Sequence, residues 1–137
     1  MSGRIDDAAI LKQMLTDAKT IAVVGHSDKP TRTSYMIAAY LRRVGYTVYA
    51  VNPTVDMIDG EPSYASLNDV PAQIDIVNVF RRSEHLPGVV EDAIGVGAPV
   101  VWAQLGVIHE EAVQRAEQAG INIVMDRCIK VERARLL

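Results

Sequence analysis

The stretch Thr20-Ile21-Ala22-Val23-Val24-Gly25-His26-Ser27-Asp28-Lys29-Pro30-Thr31-Arg32-Thr33-Ser34 decides the fold. Its first five residues are apolar or β-branched without polar alternation, the signature of a strand buried on both faces. A glycine and a polar loop follow. From Ser34 onward the period changes, and Ile37, Tyr40, Leu41 and Val44 recur at helical spacing. Strand, glycine, polar loop and helix form the opening unit of a Rossmann-type α/β domain.

The same change of period recurs downstream. Apolar runs stand at Thr47–Val51, 74–80, 99–102 and 121–125, and amphipathic stretches at 87–96 and 109–119. Val89, Val90, Ala93 and Ile94 share one side of the first stretch. Ala112, Val113, Ala116 and Ala119 share one side of the second, opposite Glu110, Glu111, Arg115 and Glu117. Gly45, Gly97 and Gly120 follow helices where a left-handed residue is wanted. A leading helix at 6–18 gathers Ile10, Leu11, Met14 and Leu15. The order α-β-α-β-loop-β-α-β-α-β predicts an α/β fold, a single Rossmann-like domain over residues 1–137. Its parallel five-stranded sheet has the order 3-2-1-4-5, with helices on both faces. Thr33 or Ser34 is expected to cap the second helix, Arg42 and Arg43 to face water, and residues 1–5 to be flexible.

Composition agrees. The chain has 137 residues, 49% hydrophobic and 23% charged, enough to bury a core without disulfide or metal. A net charge of −3 argues against a nucleic-acid binder, yet a few local cations can still hold a small anion. One cysteine, no apolar leader and no run of about 18 apolar residues point to a cytoplasmic protein without a membrane partner.

In open α/β sheets, ligands lie beyond the carboxyl ends of the strands. Those ends are the loop from Gly25, then 51–53, 80–82, 103–106 and 126–128. The first loop runs into a helix N-terminus, whose unpaired N–H groups and partial positive charge suit a phosphate. Ser27, Lys29, Arg32 and Ser34 add hydroxyls and cations there, and His26 either donates to an oxygen or is solvated. One of Arg81 and Arg82 reaches a phosphate. The dinucleotide fingerprint is missing: the loop has Gly25 alone, and Asn52-Pro53 stands where NAD wants an acid. His85 and His109 lack metal-ligand spacing, and Trp102 is expected to pack in the core.

The segments Val24-Gly25-His26-Ser27 with Arg32 and Ser34, Gly45-Tyr46, and Val51-Asn52-Pro53 resemble a family of coenzyme A-binding domains. That family is related to the N-terminal domain of the succinyl-CoA synthetase α subunit. The resemblance continues through 64–67, 75–77, 79–81, Val101-Trp102 with Gln104 and Gly106, and 125–130, covering about residues 15–135. It implies a site for coenzyme A or an acyl-CoA. Gly25, Ser27, Arg32 and Ser34 would hold the pyrophosphate. Val51, Asn52 and Pro53 would line the adenosine side, with Phe80 and Arg81 beside them. Gln104 and Gly106 lie on the same edge. Cys128 is either near the ligand's sulfur end, as in the related synthetases, or an inert core thiol. The synthetases use a phosphorylated histidine from a further domain, so binding transfers and ligase chemistry does not. The expectation is a non-catalytic CoA-binding or sensing module, not an enzyme, with its protein partner left open. Its rivals are an NAD(P)-linked oxidoreductase and a CoA-responsive regulatory subunit.

Overall fold

The computed structural model describes residues 3–137. Strands and helices alternate along the chain: β1 (Gly3–Arg4), α1 (Ala8–Asp17), β2 (Thr20–Val24), α2 (Thr33–Arg43) and β3 (Thr47–Val51). The hairpin β4 (Met57–Ile58) and β5 (Glu61–Tyr64) follows, then β6 (Ile76–Val79), α3 (Leu86–Val96), β7 (Val100–Ala103), α4 (Glu110–Ala119), β8 (Asn122–Val124) and α5 (Ile129–Leu136). The result is the expected α/β domain, mostly parallel and Rossmann-like. The sheet has eight strands rather than five, in the order β1-β8-β7-β6-β2-β3-β5-β4.

Two cores flank the sheet because the strands alternate their side chains between its faces. Ala22 and Val24 point to α3 and α4, meeting Leu86, Val89, Val90, Ala93, Ala112 and Ala116. Ile21 and Val23 point the other way, to Leu11 and Leu15 of α1, Ile37, Ala38 and Leu41 of α2, and Ile129 of α5. Trp102 is fully buried in the second core, and its Nε1–H donates to the Arg127 carbonyl at 3.0 Å. Packing, not exposure to a ligand, accounts for it.

The strand order needs correction. The expected order puts the run ending at Phe80 outside Thr47–Val51. Instead β6 pairs directly with β2, from Ile21↔Ile76 to Val24↔Val79. The place beyond β3 belongs to β5, through Ala50↔Ser63 and Val51↔Tyr64. Glu61-Pro62-Ser63-Tyr64 is polar, half-exposed and carries a proline, features of an edge strand that hydrophobic periodicity does not reveal. With β5 counted third, β2, β3, β5, β6, β7 and β8 take the Rossmann order 3-2-1-4-5-6. The point where chain order reverses therefore lies between β2 and β6.

The amino-terminal segment also departs from expectation. Met1 and Ser2 lie outside the described residues, but Gly3 and Arg4 pair in parallel with Asn122 and Ile123 of β8. The Ile5 N–H donates to the Ile123 carbonyl at 2.9 Å, and the Ile5 side chain is buried in the α1–α2–α5 core. Ile5→Ala should therefore cost about 2–4 kcal/mol in urea unfolding, as buried Ile→Ala changes do. A flexible tail would show no change.

Candidate functional site at the carboxyl edge

Three strand ends converge on Gly25. Its N–H donates to the Val51 carbonyl at 2.9 Å, and its φ is +87°. A Cβ built there would stand 3.1 Å from the Phe80 carbonyl oxygen and 3.3 Å from Arg81 Cγ. Glycine is required on both counts, because the conformation is left-handed and the backbone of the neighbouring strand end fills the space.

The loop beyond Gly25 is folded by its own polar groups. The Ser27 N–H donates to Ser34 Oγ at 2.9 Å, and the Lys29 N–H to Ser27 Oγ at 3.0 Å. Asn52 Nδ2 donates to the His26 carbonyl at 2.8 Å, while its Oδ1 accepts from the Thr54 N–H and hydroxyl. Ser34 thus closes the loop instead of capping α2. The N-cap is Arg32, with no side-chain hydrogen bond, and the N–H groups of residues 33–35 have no protein acceptor among the described residues. An uncapped helix N-terminus carrying partial positive charge is an anion site. The cleft in front of it is lined by Gly25, Ser27, Lys29, Arg32, Ser34, Asn52 and Phe80, with Asp28 its only carboxylate. Neither Lys29 nor Arg32 is ion-paired among the described residues.

Two further clefts adjoin the first. A slot of about 210 Å³ is walled by Val24, Val51, Pro53, Ala65, Leu67 and Val89, with Asn52, Thr54, Ser66, Arg81 and Asp92 as its polar members. It is smaller than the roughly 300–1,000 Å³ of a whole drug-sized site, so it suits one end group of a longer ligand. On the other side, Phe80, Arg81, Arg82, Ser83, Gln104, Leu105, Gly106 and Val107 line a shallow cleft. Phe80 belongs to this cleft and the anion cleft, and Arg81 to this cleft and the slot. Arg81 has no acidic partner among the described residues, while Arg82 lies 3.5 Å from Glu84.

Twelve of the sequence-derived site residues thus line one continuous edge. Cys128 does not: it is buried at the start of α5 in the α1–α2–α5 core and lines none of the three clefts. Sequence reasoning missed the slot wall at 65–67, which the resemblance includes without a role. It also missed Asp126, whose carboxylate accepts the Gly106 N–H at 2.7 Å and so joins two edge loops. No helix of the described residues is long and apolar enough to cross a membrane.

Residues 19–134 match the family described as CoA binding domain. The chain belongs to that family. It is 48% identical to the uncharacterized protein YneT of Bacillus subtilis over 92% of this chain and 93% of that one. A hypothetical protein from Pyrococcus horikoshii superposes with a TM-score of 0.92 at 38% identity, over 96% of this chain and 92% of that one. Similarity extends to an ADP-forming acetate–CoA ligase of Archaeoglobus fulgidus, 28% identical over 81% of this chain but only 18% of the ligase. The CoA-binding domain therefore spans under a fifth of that enzyme.

Beneath the anion loop of this CoA-binding domain lies a buried histidine, neither solvated nor turned to the cleft. His26 Nδ1 stands 2.8 Å from the Ser27 carbonyl, which can only accept, so Nδ1 carries the proton. Nε2 then accepts from Arg42 Nη1 at 3.1 Å. Arg42 is accordingly half-buried against the loop rather than wholly solvent-facing. The Tyr35 ring meets the imidazole edge-on at 6.0 Å, and the Tyr35 hydroxyl donates to Asp59 in the β4–β5 turn. Burial pushes the His26 pKa below its ordinary 6.5; the Ser27 hydrogen bond opposes this and the Arg42 charge reinforces it. A histidine held neutral in the fold stabilises it fully above the unfolded value, and that stability is lost as pH falls through 6.5. Denaturant midpoints should therefore drop from pH 7.5 to 5.5 more steeply than in His26→Gln, whose amide donates and accepts at either pH. Equal slopes would remove His26 from the acid response.

Proposed function

We propose that this chain is a CoA-binding module without ligase chemistry of its own, taking the nucleotide end of the ligand at the β2–β6 switch point. The observation that carries the reading is the uncapped α2 N-terminus facing two unpaired cations. A pyrophosphate there meets free N–H groups, Lys29 and Arg32, with the Ser27 and Ser34 hydroxyls beside them. The apolar slot accommodates the adenine ring between Val51, Pro53, Leu67 and Val89, and Arg81 at its side offers a cation to the 3′-phosphate. Gly25 lets the ligand approach the backbone closely.

Binding rather than catalysis is supported by the state of the histidine nearest the cleft. His26 is fully buried with both ring nitrogens engaged, so it is not presented to a ligand as nucleophile or base. An NAD reading is disfavoured at the end of β3, because the Asn52 side chain is consumed by His26 and Thr54 and Pro53 offers no N–H. Calorimetry should show CoA binding and NADH hardly binding; tight NADH binding with no CoA signal would sink this reading.

The anion loop makes a sharper demand. A charge-assisted hydrogen bond to phosphate contributes about 1.5–3 kcal/mol. Arg32→Ala should weaken CoA by about 10- to 100-fold while leaving the apo melting temperature unchanged. Retained affinity would mean that the pyrophosphate is held elsewhere.

A further inference from the structure

Gln104 follows β7, where the sheet edge meets the third cleft. Its side chain is 7% exposed, and Oε1 is buried with no hydrogen-bond partner. The residue's backbone is fully used, the N–H donating to the Val79 carbonyl at 3.2 Å and the carbonyl accepting from the Val107 N–H at 2.9 Å. The side-chain amide is therefore held in place by its own main chain, yet neither end meets a partner among the described residues. Buried amides are nearly always satisfied, and an unsatisfied one in a cleft wall is a receptor for a group absent from the apo protein.

The surroundings say what kind of group. Phe80, Leu105 and Val107 make the cleft largely apolar, and Leu105 is 60% exposed with nothing over it. The complementary ligand is an aliphatic chain that carries amide N–H and carbonyl groups. The cleft is continuous with both neighbours, through Phe80 to the anion cleft and through Arg81 to the slot. A chain leaving the pyrophosphate can run along it without crossing a barrier.

We propose that Gln104 is the specificity-determining residue for the pantetheine arm of CoA. An arm N–H donates to Oε1 and an arm carbonyl accepts from Nε2; the two secondary amides of pantetheine supply both. The apolar walls take the methyl and methylene groups between them. This assignment rests on the CoA reading above, and it separates recognition of the arm from recognition of the nucleotide.

The experiment uses two ligands that differ only in the arm region: CoA, and adenosine 3′,5′-bisphosphate, which lacks it. Gln104→Leu keeps the shape of the side chain and removes its polarity. By calorimetry this variant should bind CoA about 10-fold more weakly, as the loss of one or two neutral hydrogen bonds predicts, and bind the bisphosphate as tightly as the parent. Its apo melting temperature should hold or rise, because an unpaired buried amide has gone. Gln104→Glu, which keeps an acceptor and loses the donor, guards against a folding defect: it should lose affinity for CoA and not for the bisphosphate. Equal losses for both ligands, or no loss for either, would overturn the assignment. If the unaltered protein bound the bisphosphate but gained nothing from the arm, the third cleft would not be the arm's site. If it bound neither ligand, the CoA reading itself would fall.

Discussion

Gly25 is the constraint on which the molecule turns. Its N–H holds the end of β3 and its missing side chain admits the end of β6, so it fastens both neighbours of β2 at the level where the sheet stops. A parallel sheet opens a crevice where neighbouring strands send their chains to opposite faces. Here that divergence is locked at closest approach, with backbone where a side chain would otherwise stand. The loop beyond it has few free choices. It leaves in a left-handed conformation, folds over a buried imidazole, and enters α2 with its serines spent on loop closure. The uncapped helix end is a consequence of that local hydrogen bonding.

The electrostatics follow from the same arrangement. The chain is acidic overall, yet the edge of the sheet collects Lys29, Arg32 and Arg81 without giving them ion-pair partners among the described residues. Elsewhere most arginines are occupied: Arg115 by Glu91, Arg127 and Arg135 by Glu132, Arg133 by Tyr46. Glu132 is nearly buried, and its carboxyl is held below the usual range, chiefly by its hydrogen bond to Arg135. Cations with satisfied partners build the scaffold, and those without are left for a phosphate-bearing ligand.

Much of this was legible in the residues. The β-branched runs and the 3.6-residue spacing disclosed the central strands, all five helices but the last, and both faces of the core. The glycine-poor loop and Asn52-Pro53 argued against a dinucleotide and pointed to the right edge of the sheet. What stayed hidden has physical reasons. β5 is polar and half-exposed, so periodicity has nothing to register, and its omission displaced β6 by two places. β1 is two residues long and is held by backbone hydrogen bonds that carry no compositional mark. Ser34 looks like a cap because serine usually is one, and only the course of the loop shows that its oxygen faces the Ser27 N–H. Cys128 sits one residue before α5 at the correct height in the sheet, but on the side facing α1 and α2; height is readable from order along the chain, and side is not. The pairing of His26 with Arg42, sixteen residues apart, depends on a helix folding back over its own entry loop.

The margins of the sheet have a separate consequence. One edge ends in β1 and the other in β4, each only two residues long, and the β4–β5 hairpin places Pro62 and the left-handed Asp59 and Gly60 beside the latter. Such margins offer almost no ladder of free N–H and C=O groups on which another strand could grow. The sheet of eight strands is thereby closed to lateral extension at both ends, a protection against fibrous self-association that is independent of the ligand. Any pairing of copies is left to the outer surfaces of the helices, away from the strands that carry the carboxyl edge.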